Sequence, residues 1–311
     1  MQDPNGPAAV RHTINAKSEY LLSDKLLRIF EERDVKRPIS EKKTGSPSRF
    51  LLCSGAIDDG VDKPMADNSH MGIVYAVGIG PGDSMYLTPA ALAAIEKSDF
   101  VTGYSTYLDL VRDILQEKPI LESGMRQEVD RCKAAVSQAQ QGAAVAVICG
   151  GDPGVYSMAG LLIELAAGTG VRVEIVPGVT AATACAALLG APLMQDFAVI
   201  SLSDLLTPWE VIEKRLKLAA EADFIIVLYN PKSKGRDWQL GRAREIILSA
   251  RPAQTVAGFV RSALRGDSLV NMCTLGVLPI DEIDMFTTVV IGNSCTRQVD
   301  GRMVTSRGYE I

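Results

Sequence analysis

Histidine is almost absent from this chain of 311 residues, and both copies, His12 and His70, lie in the first 70 residues. Everything from Met71 onward has no imidazole. A Ser-His-Asp triad, a histidine-ligated zinc site or a histidine general base therefore cannot come from that region. This absence excludes many hydrolases and most metalloenzymes, so any chemistry performed after residue 70 has to use other side chains.

Paired cysteines, long apolar runs and an excess of positive charge are also missing. The six cysteines are scattered without a Cys-x-x-Cys pair, as is typical of buried free thiols in a reducing compartment. No run approaches the roughly 18 apolar residues of a membrane span, and no secretory signal is visible. The net charge of −5 disfavours nucleic-acid binding. We therefore expect a cytoplasmic protein without a metal site that binds neither membranes nor nucleic acids.

Residues 1–70 differ in character from the rest of the chain. An amphipathic helix is predicted over Ser18–Asp34, and a charged stretch rich in Ser, Pro and Gly follows it. We predict that this segment is a partly disordered N-terminal extension, with three interpretations open: a flexible extension, the remnant of an upstream fused unit, or partly a cloning artefact. No function is assigned to it.

From Met71 onward, short apolar runs that end in glycine alternate with helical patterns. IVYAVGI reads as a buried strand, and Thr88-Pro89 then opens a helix that runs through Lys97. Such alternation predicts an α/β fold. We expect two α/β domains with mostly parallel sheets, covering residues 71–190 and 191–311, and a cofactor cleft between them.

Three glycine-bearing motifs each leave the end of a predicted strand: GIGPGD at Gly78–Asp83, GGDPGVY at Gly150–Tyr156 and PGVTAAT at Pro177–Thr183. Glycine lets a ligand approach the backbone, and open α/β sheets bind ligands at the carboxyl ends of their strands. Asp152 could accept hydrogen bonds from an ammonium or hydroxyl group. Each motif also has a structural explanation as an ordinary loop, with Thr180 capping a helix. Together the motifs favour a pocket.

The nearest alternative for the first motif is a dinucleotide-binding turn. That fingerprint requires glycine at its sixth position and a helix that begins at once. Here the sixth position is Asp83, and the predicted helix begins only near Thr88. A pyrophosphate would therefore lose the amide donors of the helix N-terminus. A nicotinamide-dependent oxidoreductase is disfavoured.

The three motifs, in this order and spacing, resemble the tetrapyrrole methyltransferase family, which uses S-adenosylmethionine. The second half resembles the members that methylate C17 of precorrin-3B or cobalt-factor III, through the segments Ser201–Leu216, Leu228–Leu240 and Met285–Ser294. GYSTYLDL (Gly103–Leu110) and the terminal MVTSRGYEI also fit. The resemblance covers Met71–Ile311. It implies a homodimer in cobalamin biosynthesis that binds an anionic tetrapyrrole substrate.

The family's site residues can be transferred motif by motif. The resemblance implies that the cofactor is bound by Pro81, Gly150, Gly151, Asp152, Val155, Thr180, Ala181, Tyr229, Asn230, Ala263 and Asn293. Cations near the cleft should hold the substrate carboxylates. The candidates for this role are Arg261, Arg265 and Lys232.

Methyl transfer from a sulfonium suits a site without histidine, because the leaving group is a neutral thioether that needs no acid. The protein's main task would be alignment of the ring carbon with the methyl group. In this subfamily the resemblance also implies contraction of the macrocycle. Candidates for proton transfer in that step are Ser203, Asp204 and Tyr104. Two alternatives remain open: another tetrapyrrole methylase of the family, and an inactive cofactor-binding module.

Overall fold

A computed structural model of the chain describes residues 12–13, 71–115, 117–123 and 127–309. The helix predicted at Ser18–Asp34 and the linker after it lie outside these residues. Within them, no helix has both the length and the apolar character that crossing a bilayer requires.

The described residues form an α/β structure. The strands are β1 (His12–Thr13), β2 (Ile73–Gly78), β3 (Phe100–Tyr104), β4 (Ile120–Ser123), β5 (Ala144–Cys149), β6 (Arg172–Val176), β7 (Gly190–Ala191), β8 (Phe197–Ser201), β9 (Ile225–Tyr229), β10 (Val256–Arg261), β11 (Leu269–Thr274), β12 (Thr287–Ile291), β13 (Thr296–Val299) and β14 (Arg302–Thr305). The helices are α1 (Pro89–Lys97), α2 (Ser105–Asp109), α3 (Arg112–Leu115), α4 (Glu128–Gln140), α5 (Ala159–Ala166), α6 (Ala181–Leu189), α7 (Trp209–Glu221) and α8 (Gln239–Leu248). Short 3-10 helices occupy Ser84–Tyr86, Leu275–Val277 and Ile280–Glu282.

The first sheet is parallel throughout, with strand order β4-β3-β5-β2-β6. Alternate residues of β2 point to opposite faces, as the strand geometry requires. Val74 and Ala76 pack with residues of α4 and α5, whereas Tyr75 and Val77 pack with α1. Helices therefore cover both faces, and the prediction of a parallel α/β sheet is confirmed for this half of the chain.

Local capping signals determine where α1 lies. The Thr88 hydroxyl accepts a hydrogen bond from the backbone N of Ala91 (3.1 Å), and Pro89 occupies the first turn. The helix ends at Lys97, and the predicted bounds are confirmed. The 3-10 turn Ser84–Tyr86 separates the first glycine loop from this helix. The geometry of a dinucleotide-binding turn is therefore absent from this loop, as its sequence predicts.

The second sheet corrects the expectation of mostly parallel strands in both halves. Its strand order is β1-β11-β10-β12-β9-β8, and only β8 and β9 pair in parallel. Strand β10 pairs antiparallel with both β11 and β12. The connection from β10 to β11 spans only residues 262–268, whereas a parallel crossover needs a dozen residues or more. Strand β11 and the hairpin β13–β14 were not predicted from the sequence.

Helix α6 packs on the second sheet although it directly follows a strand of the first. Its residues Ala182, Cys185 and Leu189 share a core with Val227 and Val290. Helices α7 and α8 cover the opposite face of this sheet. After α6 the chain adds β7 to the edge of the β13–β14 hairpin. The boundary predicted at residue 190 thus follows a helix whose packing partners come later in the chain.

Two glycines allow the loops after β2, β5 and β6 to meet backbone to backbone. A Cβ atom at Gly78 would lie 2.7 Å from both the Gly151 carbonyl oxygen and the Gly178 nitrogen. A Cβ atom at Gly178 would overlap the same Gly151 oxygen and the Gly78 carbonyl group. No side chain fits between these segments. Gly78 and Gly178 are therefore a steric requirement for bringing the three loops together.

We predict that Gly178→Ala destabilises the protein by about 1–3 kcal/mol, because backbone has to move to admit the methyl group. The matched control is Gly160→Ala in α5, where a Cβ atom would meet nothing within 4 Å. That change should be neutral or stabilising by up to about 1 kcal/mol, because alanine is the better helix former. Urea unfolding of both variants measures the difference. Equal stability of the two would contradict the steric argument.

Candidate active site

A cavity of about 230 Å³ lies where the loops after β2, β5 and β6 meet residues of the second sheet. Ten of the eleven residues assigned to the cofactor from the sequence line it: Pro81, Gly150, Gly151, Asp152, Val155, Thr180, Ala181, Tyr229, Asn230 and Ala263. Tyr104 and Arg265 also line it. Segments far apart in sequence thus converge on one space.

The remaining predicted residues lie elsewhere. The Asn293 side chain donates to the Gln195 side-chain oxygen (2.8 Å) and borders a separate polar depression of about 190 Å³. Asp204 accepts a hydrogen bond from Gln239, and Ser203 lies outside the cavity lining. Arg261 pairs with Asp284 (3.5 Å), and Lys232 is absent from the lining. The structure does not bring these five predicted residues into the cavity: Asn293, Ser203, Asp204, Arg261 and Lys232.

Two backbone hydrogen bonds join the first and second glycine loops. The Gly80 nitrogen donates to the Gly151 oxygen (3.1 Å), and the Gly151 nitrogen donates to the Gly80 oxygen (2.8 Å). Both residues have positive φ, 66° and 69°, a conformation that glycine adopts without steric cost. Beside them, a Cβ atom at Gly150 would collide with the ring of Tyr107. The floor of the cavity is therefore backbone.

Asp152 holds the second loop to the third. Its Oδ1 accepts a hydrogen bond from the Gly154 nitrogen (2.8 Å), and its Oδ2 accepts one from the Gly178 nitrogen (3.1 Å). Hydrogen bonds to an ionised acceptor are stronger than neutral ones. The sequence suggested Asp152 as a direct ligand contact. In the structure both carboxylate oxygens already have backbone partners, so the residue also fixes the shape of the site.

Tyr229 supplies the N-terminal cap of α6 from the second sheet. Its hydroxyl oxygen accepts from the Ala182 nitrogen (2.6 Å) and lies 2.7 Å from the Thr180 hydroxyl. Thr180 occupies the N-cap position, but its side chain makes no capping bond. The expected threonine cap is thus replaced by tyrosine. Burial raises the pKa of the Tyr229 phenol, and its hydrogen bonds with Thr180 and Ala182 oppose that rise.

Tyr156 makes a second link from the glycine loops to the second sheet. Its hydroxyl donates to the Val199 oxygen (3.0 Å) and accepts from the Ser201 nitrogen (3.3 Å). The residue has a φ of 51°, a left-handed conformation that costs energy for a bulky side chain. Its ring lies 5.9 Å from that of Tyr229. Both tyrosines line the cavity. Tyr156 binds the backbone of β8, and Tyr229, at the end of β9, binds the start of α6.

Arg265 is the one cation among the described residues that line the cavity. Its Nε donates to the Pro81 carbonyl oxygen, and its guanidinium carbon lies 5.9 Å from the centre of the Tyr107 ring. In the described part of the chain the terminal nitrogens make no hydrogen bond or ion pair, so they remain available for an anion. Burial raises the pKa of the Tyr107 phenol, and the positive charge of Arg265 opposes that rise.

Cys185 is the thiol that lines the cavity. Burial raises its pKa to about 11, although a hydrogen bond with Thr288 opposes the rise. The thiol is therefore protonated near neutral pH, and a thiol is a poor nucleophile compared with a thiolate. The polar groups around the cavity can bind, orient and exclude water. They do not form an activated nucleophile.

Several residues that line the cavity were not predicted from the sequence. They are Thr106, Tyr107, Tyr156, Cys185, Ser262, Met285, Phe286, Thr287 and Thr288. The tyrosines, the threonines and the pair Met285-Phe286 fall within segments that carry the family resemblance, so their neighbourhood was visible. Ser262 lies outside those segments. Its nitrogen donates to the Phe286 oxygen (3.0 Å), a contact that depends on the antiparallel pairing of β10 with β12, which no local pattern predicted.

Comparison with known proteins places these features in a family. A family model described as Tetrapyrrole (Corrin/Porphyrin) Methylases matches residues 73–278. The probable cobalt-factor III C(17)-methyltransferase of Salmonella typhimurium is 46% identical over 241 residues, covering 77% of this chain and 100% of that protein. The precorrin-3B C(17)-methyltransferase of Sinorhizobium sp is 44% identical over 234 residues, covering 74% and 92%.

The fold has a solved counterpart. The crystal structure of the methyltransferase CobJ is 36% identical and superposes with a TM-score of 0.72, covering 76% of this chain and 100% of that one. The family model, the relatives and the fold agree. The chain belongs to the tetrapyrrole (corrin/porphyrin) methylase family.

Proposed function

We propose that the protein transfers the methyl group of S-adenosylmethionine to C17 of precorrin-3B or cobalt-factor III, with ring contraction, in cobalamin biosynthesis. The observation that carries this proposal is the convergence of the predicted cofactor residues from three strand-end loops and the second sheet on one cavity. The two relatives named above, at 46% and 44% identity, supply the substrate class.

The residues around the cavity fit S-adenosylmethionine. Gly150 and Gly151 present backbone without side chains, so an amino acid moiety can approach the peptide groups closely. Backbone carbonyls suit its ammonium group, and the Thr180 hydroxyl adds a further polar contact. The rings of Tyr107, Tyr156 and Tyr229 line the cavity. Such rings can stack with an adenine, and their faces attract a cation such as a sulfonium.

When bound, the cofactor would supply a methyl group attached to a positively charged sulfur. After transfer of the methyl group the sulfur is part of a neutral thioether. The chain's task is then to hold the acceptor carbon about 3–3.5 Å from that methyl group and in line with the breaking bond. The linked loops suit this task, because the Gly80–Gly151 pair and Asp152 fix their relative positions. The buried phenols and the thiol that line the cavity are protonated, so they do not compete with the substrate carbon for the methyl group.

We further propose that Arg265 binds a substrate carboxylate. The Pro81 oxygen and the Tyr107 ring hold the side chain in place, so little rotamer entropy is lost when an anion binds. A planar guanidinium with free terminal nitrogens can bind a carboxylate through two hydrogen bonds. Arg261 is less suited because it already pairs with Asp284.

The chain after residue 70 should carry the whole activity, with α/β domains at 71–190 and 191–311 and a dispensable extension at 1–70. This proposal is supported by the cavity lining, which lies between Pro81 and Thr288, and by the family match from residue 73. A cytoplasmic location stays a prediction from the composition, and a homodimer stays a prediction from the family resemblance.

The function is tested by incubating the protein with carbon-13-labelled S-adenosylmethionine and either precorrin-3B or cobalt-factor III. We expect the product to gain one labelled methyl group by mass spectrometry and to carry it at C17 by NMR. A methyl group on another ring carbon would indicate a different methylase of the family. Cofactor binding without transfer to any tetrapyrrole would indicate an inactive binding module.

Asp152→Ala should weaken the binding of S-adenosylmethionine by at least tenfold, because loss of the carboxylate frees the amides of Gly154 and Gly178. Each such charge-assisted bond is worth about 1.5–3 kcal/mol. Asp83→Ala is the matched control, since Asp83 accepts from the Met85 nitrogen in a similar turn but does not line the cavity. Isothermal titration measures both affinities. Equal affinities for the two variants would remove Asp152 from the site.

A chain that begins at Met71 should retain methyl transfer with unchanged KM for both substrates, because all residues that line the cavity remain. Its stability should fall slightly, since removal of residues 12–13 uncovers the edge of β11 at Leu269–Val270. Turnover and thermal unfolding of the full and shortened chains give the comparison. A folded but inactive shortened chain would show that the extension takes part in the reaction.

A further inference from the structure

An exposed apolar surface lies on the loops that follow β8 and β9, outside the cavity lining. It consists of Leu205, Leu206, Trp209 and Trp238, which we call the tryptophan platform. Leu205 is 64% exposed, Leu206 98% and Trp238 51%. The two indole rings lie 4.8 Å apart and nearly edge to face, at 70°. Solvent-exposed leucines beside a tryptophan pair are costly to hydrate and mark a surface that another molecule covers.

The tryptophan platform is held in place by the fold. Trp209 begins α7 and packs against the core of the second sheet. Trp238 directly precedes α8. The Gln239 amide donates to Asp204 Oδ2 (3.1 Å) and so joins the two loops at their bases. The aromatic pair therefore has a fixed position before any partner binds.

Hydrogen bonds connect the tryptophan platform to the cavity. Asn230, which lines the cavity, donates from its side chain to the Ser201 hydroxyl (3.0 Å). The same hydroxyl accepts from the Ser203 nitrogen (3.2 Å), one residue before Asp204. Tyr156, on the other side, holds the Ser201 nitrogen. The platform and the cavity are thus adjacent parts of one strand-end surface.

Positive charge borders the tryptophan platform. Lys232 and Lys234 lie on the loop between Asn230 and Trp238, and in the described part of the chain neither has a carboxylate within 4.0 Å. Arg236, on the same loop, is buried and donates to the Asn230 oxygen (2.8 Å). Exposed Asp237 is the one opposing charge on this loop. An occupant with an apolar face and an anionic rim matches this arrangement.

We propose that the tryptophan platform binds one face of the substrate macrocycle while Lys232 and Lys234 bind carboxylates on its rim. This inference rests on the proposed function, which makes the substrate a large conjugated ring with acidic side chains. Aromatic rings bury much area at little entropic cost, and the lysines supply charge without a rigid geometry. A second copy of the chain fits less well, because a two-fold interface would bury this positively charged rim from both copies, with only Asp237 on each loop to oppose it.

The chain contains two tryptophans, and both belong to the tryptophan platform. Energy transfer to a macrocycle in the nearby cavity would quench tryptophan emission without any contact, so the readout is shielding of the two indoles from acrylamide. Binding of cobalt-factor III should lower the Stern–Volmer constant for acrylamide, measured on the remaining emission, and S-adenosylmethionine alone should leave it unchanged. The single-tryptophan variants Trp209→Phe and Trp238→Phe show which ring the macrocycle covers. Binding of cobalt-factor III, measured by its own absorbance, without such shielding would overturn the proposal.

Leu206→Ser tests the apolar contact, since a side chain 98% exposed contributes little to folding. The dissociation constant for cobalt-factor III should rise about tenfold, as expected for losing part of the burial of one leucine. The affinity for S-adenosylmethionine should not change. The matched control is Leu218→Ser, an exposed position of α7 roughly 13 Å along the helix axis from Trp209. Equal macrocycle affinity in the two variants would overturn the proposal.

The outcomes separate this inference from the proposed function. Methylation of cobalt-factor III without shielding of either indole overturns the platform proposal alone. Shielding of the indoles without any methyl transfer supports the platform and overturns the proposed reaction. Sedimentation of Leu206→Ser gives the remaining comparison. A shift from dimer to monomer with unchanged macrocycle affinity overturns the proposal in favour of an interface between copies of the chain.

Discussion

Contact between backbone segments at the ends of β2, β5 and β6 is the constraint on which the rest of the site depends. Gly78, Gly151 and Gly178 lie so close that a Cβ atom on the first or third would displace a neighbouring peptide group. This proximity puts the peptide groups of the loops, rather than long side chains, at the floor of the cavity. Peptide groups held by other peptide groups move little. Asp152 extends the same principle, because its carboxylate ties Gly178 to the second loop through backbone amides.

The second sheet completes this site through a few polar contacts that cross between sheets. Tyr229 caps α6, Tyr156 binds the backbone of β8, and Arg265 binds the first loop at Pro81. Each contact joins a residue that lines the cavity to backbone on the other side. Helix α6 links the cavity to the second sheet, because its first residues line the cavity and its apolar face packs on β10 and β12. A shift of either sheet would therefore break contacts in the cavity itself.

The parts predictable from sequence are those determined by nearby residues or by parallel topology. The bounds of α1 follow from Thr88 and Pro89, and the convergence of three glycine loops follows from parallel strands that end at one edge. The antiparallel order of the second sheet was missed because it depends on pairings between distant strands. Side-chain partners were missed for the same reason: Arg261 pairs with Asp284, and Asn293 with Gln195, across folds of the chain that no local motif indicates.

No residue after His70 is a histidine, and the buried thiol and phenols that line the cavity are protonated. Both facts favour catalysis by alignment over catalysis by an activated nucleophile. Burial keeps the Cys185 thiol and the phenols of Tyr107 and Tyr229 protonated near neutral pH. Such groups donate hydrogen bonds and do not attack a reactive methyl group. Arg265 places one positive charge at the cavity, and its contacts with the Pro81 oxygen and the Tyr107 ring fix its position, which is the basis for proposing that it binds a substrate carboxylate. A site of this kind accelerates a reaction by alignment and by exclusion of water. Alignment and exclusion of water suffice for methyl transfer from a sulfonium, because the leaving thioether requires no proton.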